Sequence, residues 1–547
     1  MIIMQTTEHQ ASQQALMAEA LGPQAAASST HPANKGKVAV IGAGPAGLSC
    51  ALELLKAGYA VDIFELDDKV GGISRTIEVL GQRADLGPHH FLSNIEAVQR
   101  FWHVGMHDDD FLTAQRFTRI LYNGKFFSYP LKGFDALFKL GFLESVHCVL
   151  SYAYAALFPR KEPTFEAWVS NAFGQRLYEI FFKTYSERLW GIKCSELSDQ
   201  FAKQRIKTLN LRKAIVHAVL PQRHPSATPR SLAGEFIYPR LGSGMVYEHI
   251  AQEVERLGGR FFFKHKVVGL TTAPITSSEV VPSWANNAAN EQRPDFTVKV
   301  TGIVTQELAA GQGAHASNAP VPPVPASEPV TRSYDFVVSS GIFSEVVSSL
   351  KALPTAVQEQ CARLRFRNTL LVFLTIDPTQ AQLCPDHWLY VHSPEIMTGR
   401  MCDFANWSPE MQQGHKDHLI AFEYWANDDD ELWNKSDDEL MAQARVDAAK
   451  SGFISAEAIT GTAVHRIYKS YPVYFNGYES ILAAITSELD KVANLYFIGR
   501  NGSYKYNNMD HSVLMGLFCA QKIAGKYHGS LWAINTDSNY QELKAQA

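Results

Sequence analysis

The apolar and polar positions between Lys37 and Glu65 predict a strand, a turn, a helix and a second strand that ends in an acid. The run Val38–Ile41 is apolar and mostly β-branched, which is typical of a strand buried in a parallel sheet. A glycine-rich turn, GAGPAG, separates this strand from the helix. The succession predicts the start of an α/β domain.

The chemistry of this turn is that of a dinucleotide-binding site. Gly42 permits a tight turn, Gly44 lets the backbone approach a pyrophosphate, and Gly47 lets the helix pack close to the sheet. The helix N-terminus offers unpaired N–H groups and the positive end of its dipole to the phosphates. Glu65 stands where a carboxylate can accept hydrogen bonds from a ribose. The unit therefore predicts either NAD or FAD as the ligand, held by the following residues: Gly42, Gly44, Pro45, Ala46, Gly47 and Glu65.

Later segments alternate between strand-like and helix-like patterns. Strands are predicted after Gly259, over Asp295–Val304 and over Ser333–Gly341, whereas residues 100–230 have mainly helical spacing. Two stretches, 271–292 and 308–332, are polar or rich in Ala, Pro and Gly, and we expect them to be disordered insertions.

Composition narrows the class of protein. The chain has 547 residues and a formal net charge of −5, so it has no basic excess for nucleic acid. Its seven cysteines are scattered singly, which predicts no metal site and fits a reducing, cytoplasmic location. Residues 1–34 resemble a flexible extension and not a secretion signal.

The most apolar segment, Leu137–Phe158, is interrupted by charged residues, and no run is long enough to predict a spanning helix. It could be a core helix, lie on a membrane surface as a peripheral contact, or line an apolar substrate channel. The pattern favours the core helix.

Three separated motifs carry a resemblance to a known superfamily. KVGGISRT and ADLGPHHF follow Glu65, and NLYFIGRNGSYKYNNMDHSVLMGLFCAQKIAG covers Asn494–Gly525. Together with the first turn they resemble the FAD-dependent amine oxidase and protoporphyrinogen oxidase superfamily. The resemblance implies FAD and adds these cofactor-binding residues: Gly71, Gly72, Arg75, Val267, Gly499, Arg500 and Asp510.

The fold that follows is α/β, a discontinuous Rossmann-type FAD-binding domain with an inserted α+β substrate domain. The predicted boundaries are a flexible extension at 1–34, FAD-binding parts at 35–105, 231–345 and 486–530, substrate parts at 106–230 and 346–485, and a tail at 531–547.

A narrower resemblance is to flavoproteins close to UDP-galactopyranose mutase, many of them from surface-polysaccharide pathways. It rests on Phe181–Leu211, Ile237–Ile250, YPVYFNGYE and Gly499–Asp510. It implies that forked or stacking groups hold the substrate, namely Arg188, Trp190, Arg205, Arg240, Tyr471 and Tyr504. It also places His89, His90, Lys505 and Tyr506 beside the flavin as catalytic candidates. The mutase pattern GPHxFH ends in a histidine where this chain has Leu92.

Two enzymatic functions and one binding function follow. The first is an FAD-dependent oxidoreductase that transfers a hydride to flavin N5. The second is a non-redox mutase that acts on a nucleotide-sugar and needs reduced flavin. The third, a non-catalytic flavin-binding partner in polysaccharide assembly, is disfavoured because the flavin-facing motifs are all present.

Overall fold

A computed structural model describes residues 35–93, 95–131, 133–205, 235–275, 296–309 and 324–534. The strands are β1 (Lys37–Ile41), β2 (Ala60–Phe64), β3 (Thr76–Val79), β4 (Gln82–Asp85), β5 (Phe111–Gln115), β6 (Thr118–Tyr122), β7 (Lys125–Ser128), β8 (Glu235–Pro239), β9 (Arg260–Phe262), β10 (His265–Pro274), β11 (Val298–Glu307), β12 (Val330–Ser333), β13 (Phe336–Ser339), β14 (Phe366–Ile376), β15 (Trp388–Val391), β16 (Arg400–Asp403), β17 (His418–Ala426), β18 (Ile459–Pro472) and β19 (Leu495–Phe497).

The α-helices alternate with these strands along the chain. They are α1 (Pro45–Lys56), α2 (Glu96–Trp102), α3 (Gly133–Leu140), α4 (Phe142–Leu157), α5 (Phe165–Phe173), α6 (Gln175–Tyr178), α7 (Thr184–Trp190), α8 (Asp199–Arg205), α9 (Gly244–Arg256), α10 (Phe343–Ser349), α11 (Thr355–Ala362), α12 (Glu431–Asn434), α13 (Asp437–Ser451), α14 (Tyr478–Leu489), α15 (Gly499–Gly502) and α16 (Met509–Ile523).

A five-stranded parallel sheet, in the order β19-β13-β1-β2-β9, forms the first layer. Its strands come from four distant parts of the chain, so the expected discontinuous α/β domain is confirmed. The helices α1 and α16 pack against one another, and the Ser49 hydroxyl of α1 donates to the Val513 carbonyl of α16 at 3.0 Å. This packing brings the start of the last helix to the same edge of the sheet as the first glycine turn.

A seven-stranded sheet, in the order β18-β14-β17-β16-β15-β6-β7, forms the second layer. Its strands pair antiparallel except for β15 and β6, which run parallel. The described part of 106–230 is mainly helical, as the sequence predicts, but it also supplies three short strands: β6 and β7 complete this sheet, and β5 pairs with β8. Their alternating residues were hidden by the longer helical segment that follows, and residues 206–234 lie outside the described range.

The two predicted insertions also need a correction at their ends. Residues 271–274 belong to β10, and residues 330–332 belong to β12. Both strands pair with β11 in a three-stranded antiparallel sheet, where cross-strand partners satisfy their backbone groups. The remainder of the first predicted insertion, 276–292, and residues 310–323 of the second lie outside the described residues.

The core-helix interpretation of Leu137–Phe158 is wrong. The segment forms α3 and α4, and many of its large apolar side chains face solvent. No helix in the described part of the chain combines the length and apolar character that crossing a bilayer requires.

Candidate functional site

A cavity of about 600 Å³ lies where the carboxyl ends of the parallel strands meet the seven-stranded sheet and the helices around α7. This position, outside the carboxyl edge of an open α/β sheet, is where such folds bind ligands. One end of the cavity is walled by glycine turns and helix starts, and the other by aromatic side chains.

The glycine end has room for a ligand that comes close to the backbone. Gly42 has a φ of +94°, and its N–H donates to the Phe64 carbonyl at 2.8 Å. A Cβ on Gly47 would lie 1.9 Å from the Gly42 carbonyl oxygen, so this glycine permits the helix to pack. A Cβ on Gly44 would meet nothing nearer than the Gly72 Cα at 3.8 Å, and both glycines line the cavity. The bare backbone therefore leaves a cradle that a side chain would fill.

Glu65 lies at the end of β2 and borders the same part of the cavity. Its carboxylate accepts the Ala43 N–H at 2.7 Å and the Asp67 N–H at 2.9 Å. Burial raises the pKa of Glu65, while these two hydrogen bonds oppose that shift. The acid thus fixes the first turn against β2 in addition to bordering the cavity.

Ten of the thirteen predicted cofactor residues line the cavity: Gly42, Gly44, Pro45, Ala46, Glu65, Gly72, Val267, Gly499, Arg500 and Asp510. Gly47, Gly71 and Arg75 lie behind the wall. Gly71 has a φ of +100°, and the Arg75 guanidinium forms a buried ion pair with Asp67 at 2.8 Å. These three shape the cradle and are not placed to touch a ligand.

The N-terminal end of α16 contributes Met509, Asp510 and His511 to the cavity wall. Asn508 caps this helix, with its side chain accepting from the third backbone N–H of the helix. A glycine cradle at one helix start and a second helix start nearby suit a long anionic dinucleotide. The residues present therefore fit FAD.

The opposite end of the cavity is aromatic. His90 stacks on Trp388 at 5.5 Å between ring centres, and Tyr471 stacks on Tyr506 at 5.6 Å. The Arg500 guanidinium lies 5.1 Å from the centres of both tyrosine rings. All five side chains border the cavity, so His90, Tyr471 and Tyr506 stand together, as the sequence predicted.

A buried ion pair crosses this aromatic end. Arg400 Nε donates to one Glu423 oxygen and Nη2 to the other, each at 2.6 Å. The two residues face each other directly because Arg400 of β16 is in register with Glu423 of β17. The Trp425 indole N–H donates to the same carboxylate at 3.0 Å. Such a forked, fully bonded pair holds Arg400 at the cavity with its charge compensated.

Two histidines at the cavity are held neutral. Burial lowers the pKa of His89 to about 3, and the charges of Arg500 and Arg400 add to the shift. Burial likewise lowers the pKa of His392 to about 3, with Arg188 adding to it. His89 Nδ1 has no hydrogen-bond partner within the described residues. A neutral imidazole with an open ring nitrogen can accept or donate a hydrogen bond there, according to its tautomer.

We expect these histidines to make the protein acid-labile. The unfolded chain takes up protons near pH 6.5 and the folded chain near pH 3, so stability falls as the pH drops below about 6.5. Each histidine contributes about 1 kcal/mol per pH unit. Thermal unfolding of the holoprotein between pH 7 and pH 5 measures this slope, and His392→Gln should flatten it. The exposed His147, changed to Gln, is the control. An unchanged slope in His392→Gln would refute the assignment.

Several predicted substrate and catalytic residues do not reach the cavity, which corrects their expected placement. Lys505 donates to the carbonyls of Trp532 and Ile534, and burial lowers its pKa to about 7. Tyr504 donates from its hydroxyl to the carbonyls of Arg365 and Val473. Each side chain is engaged by nearby main chain, which the sequence motif does not reveal.

The predicted arginines are similarly occupied. Arg188 donates to the carbonyls of Ser393 and Pro394, and Arg240 pairs with Glu410 at 2.6 Å on the surface. Trp190 is fully buried and does not line the cavity. Arg205 ends α8, and its side chain lies outside the described part of the structure.

The sequence prediction missed other residues of the aromatic end: Arg116, Tyr129, Tyr185, Trp388, Tyr390, His392 and Arg400. Except for Tyr185, which lies in the Phe181–Leu211 segment, they belong to no motif, and the second sheet and α7 bring them together. One signal was available: Glu423 interrupts the apolar strand HLIAFEYWA, and a charge in a buried strand needs a partner.

Comparison with known proteins agrees with this geometry. The sequence profile of the flavin containing amine oxidoreductases matches residues 45–289. A probable UDP-galactopyranose mutase of Klebsiella pneumoniae is 28% identical over 182 residues, which are 31% of this chain and 45% of that protein. A 1-hydroxycarotenoid 3,4-desaturase of Flavobacterium sp. (strain P99-3) is 51% identical over 55 residues, 10% of this chain and 11% of that protein. The matches thus span less than half the length of these relatives.

Solved structures share the whole fold. A reduced UDP-galactopyranose mutase superposes with a TM-score of 0.70 at 19% identity, covering 93% of this chain and 97% of the other. A putative protoporphyrinogen oxidase from Exiguobacterium sp. 255-15 gives 0.60 at 14% identity, covering 89% and 98%. At these identities the likeness establishes the fold. With the family match over the glycine end, it confirms the prediction of FAD as cofactor.

Proposed function

We propose that this chain, a flavoenzyme of the flavin-containing amine oxidoreductase family, is an FAD-dependent oxidoreductase for a neutral or anionic, largely apolar substrate. When bound, FAD supplies the acceptor for a hydride equivalent. One observation carries the proposal: the substrate end of the cavity is aromatic, and Glu423 neutralises the arginine that crosses it.

The aromatic wall would orient the substrate and keep water out. Trp388, Tyr390 and Tyr185 present ring faces and edges, which bind apolar groups without a charge requirement. A dry site also strengthens each remaining electrostatic contact.

Arg500 would select against cationic substrates. Its Nε donates to the Asn507 carbonyl at 2.9 Å, which helps to fix the guanidinium at the cavity wall beside the two tyrosines. A protonated amine in the same cavity would meet this positive charge at low dielectric. We therefore propose oxidation at a C–O or C–C bond in preference to a C–N bond.

His89 would stay neutral while the substrate binds, because burial and the charges of Arg500 and Arg400 lower its pKa to about 3. An imidazole with so low a pKa is a weak base. We therefore propose that its Nδ1, which has no hydrogen-bond partner within the described residues, orients a substrate group through a hydrogen bond.

Small aromatic probes test the charge preference without knowledge of the substrate. At pH 7 we expect benzoate to perturb the flavin absorbance of the holoprotein at a lower concentration than benzylamine does. The two half-saturating concentrations should differ by about tenfold or more, because the ammonium group of benzylamine is repelled by Arg500. An Arg500→Gln variant should lose the difference. Tighter binding of benzylamine by the unaltered protein would contradict the proposal.

A second candidate function is a mutase for nucleotide-sugars in surface-polysaccharide synthesis. The 182-residue likeness to the Klebsiella protein favours it. Two features speak against it: Leu92 replaces the expected histidine at the cavity wall, and Arg400 is already paired. A diphosphate is held best by cations that no carboxylate compensates, a condition that, among the described residues, Arg500 meets but Arg400 does not. The cytoplasmic location expected from the cysteines suits either function and remains part of the proposal.

A further inference from the structure

The hairpin α3–α4 presents an unusually apolar surface to solvent. Phe138, Phe142 and Leu143 are 89%, 80% and 83% exposed. The same surface continues along α4 at helical spacing, through Val146, Val149, Leu150, Tyr154, Leu157 and Phe158. We call these nine residues the hairpin face. Contiguous apolar patches of this kind usually mark a binding surface.

The opposite side of α4 packs on the protein and carries the polar contacts. Cys148 and Ala155 are buried there, and Glu144 forms a forked ion pair with Arg176 of α6. The large apolar side chains of α4 therefore face outward beside the exposed His147, whereas an ordinary surface helix turns its apolar stripe toward the core. The buried residues and the ion pair fix α4 to the protein in this orientation.

The charges around the face favour a negatively charged partner. Residues 125–183 contain seven Lys and Arg against five Asp and Glu, although the whole chain has a net charge of −5. Four of the acids are paired with cations: Asp135 with Lys139, Glu144 and Glu179 with Arg176, and Glu166 with Arg160. Lys125 and Lys161 are exposed at the two ends of the hairpin.

We propose that the hairpin face docks on the surface of an anionic lipid bilayer. The α4 helix has 16 residues, about 24 Å, which suits a helix lying in the interface and not one crossing it. Its apolar side chains enter the acyl boundary, and the lysines at its ends meet lipid headgroups. In a symmetric contact with a second copy, the same basic surroundings would face each other and repel.

The hairpin that carries the face directly follows, in sequence, two residues of the cavity wall. Tyr129 and Leu131 line the cavity, and α3 begins two residues after Leu131. Docking therefore holds one wall of the substrate end next to the bilayer. The inference does not depend on which reaction the flavin performs.

Vesicle sedimentation of the FAD-loaded full chain tests the proposal. The protein should sediment with vesicles of phosphatidylcholine and phosphatidylglycerol, less with phosphatidylcholine alone, and less again in high salt. The variant Leu143→Glu with Leu150→Glu should lose about tenfold or more of this binding. Val446→Glu changes an exposed apolar side chain on α13, away from the hairpin face, and should bind as the unaltered protein does.

Both variants replace exposed side chains, so unchanged flavin content and circular dichroism should show that they fold. The proposal fails if no vesicle binds the unaltered protein, if both vesicle types bind it equally, or if both variants bind alike. Sedimentation velocity supplies a further test. A dimer that becomes a monomer in the Leu143→Glu, Leu150→Glu variant, without vesicle binding, would assign the hairpin face to a second copy.

Discussion

A Gly44→Val variant is expected to fold but to purify without flavin. Gly44 has ordinary extended backbone angles, φ −78° and ψ −177°, which valine adopts without strain. A Cβ there would come no nearer than 3.8 Å to the protein, so the added side chain occupies the cavity and not the core. The pyrophosphate would lose its approach to the turn.

Loss of two charge-assisted N–H contacts would cost about 3 kcal/mol, or a factor of about 100 in the dissociation constant for FAD. Absorbance of the purified protein and titration of the apoprotein with FAD measure the effect. Ala60→Val adds a branched side chain at an exposed position of the same βαβ unit and should retain FAD. A yellow Gly44→Val protein with unchanged affinity would show that the cofactor does not lie along this turn.

The second large effect is expected from Glu423→Gln. The change preserves the shape of the side chain but leaves the Arg400 guanidinium buried without its counter-charge. Glu423 is only 5% exposed, so solvent cannot replace the missing partner. Breaking a buried pair of this kind costs about 3–5 kcal/mol. Denaturant unfolding of the holoprotein should show that loss.

The surface pair Arg240–Glu410 is the matched control, since both side chains are 39% exposed. Glu410→Gln should cost less than about 1 kcal/mol because water screens the pair. Adding Arg400→Met to Glu423→Gln should recover most of the lost stability, as a double-mutant cycle would show. A loss under about 1 kcal/mol in Glu423→Gln would mean that Arg400 finds another partner.

The dinucleotide-binding end of the cavity could be predicted from the sequence because it is formed by residues that are close together in the chain. Strand, turn and helix follow one another between Val38 and Leu55. Two of the three glycines of the turn are needed because of the backbone conformation or the close packing of their immediate neighbours. The second helix start, at Met509, is distant in the chain, but the C-terminal motif Asn494–Gly525 predicts it. Parallel pairing of β1 with β13, and of β13 with β19, then brings the two ends together.

The substrate end could not be predicted in the same way, because its residues are brought together by the pairing of strands that are distant in sequence. Arg400 and Glu423 meet only because β16 and β17 pair at that position. Lys505 and Arg188 carry charges that suggested ligand contacts, but main-chain carbonyls unrelated in sequence accept their hydrogen bonds. The hairpin face shows the same limit, since apolar spacing gives the face of a helix but not whether protein covers it.

Turnover of UDP-galactopyranose tests the oxidoreductase account most directly. The holoprotein is incubated anaerobically with the sugar nucleotide, once with oxidised FAD and once after reduction by dithionite, and the pyranose and furanose forms are separated. We expect no furanose in either state, because Leu92 stands where the mutase pattern has its second histidine and Glu423 already compensates the charge of Arg400. Furanose that forms only with reduced flavin, and without net electron transfer, would contradict it.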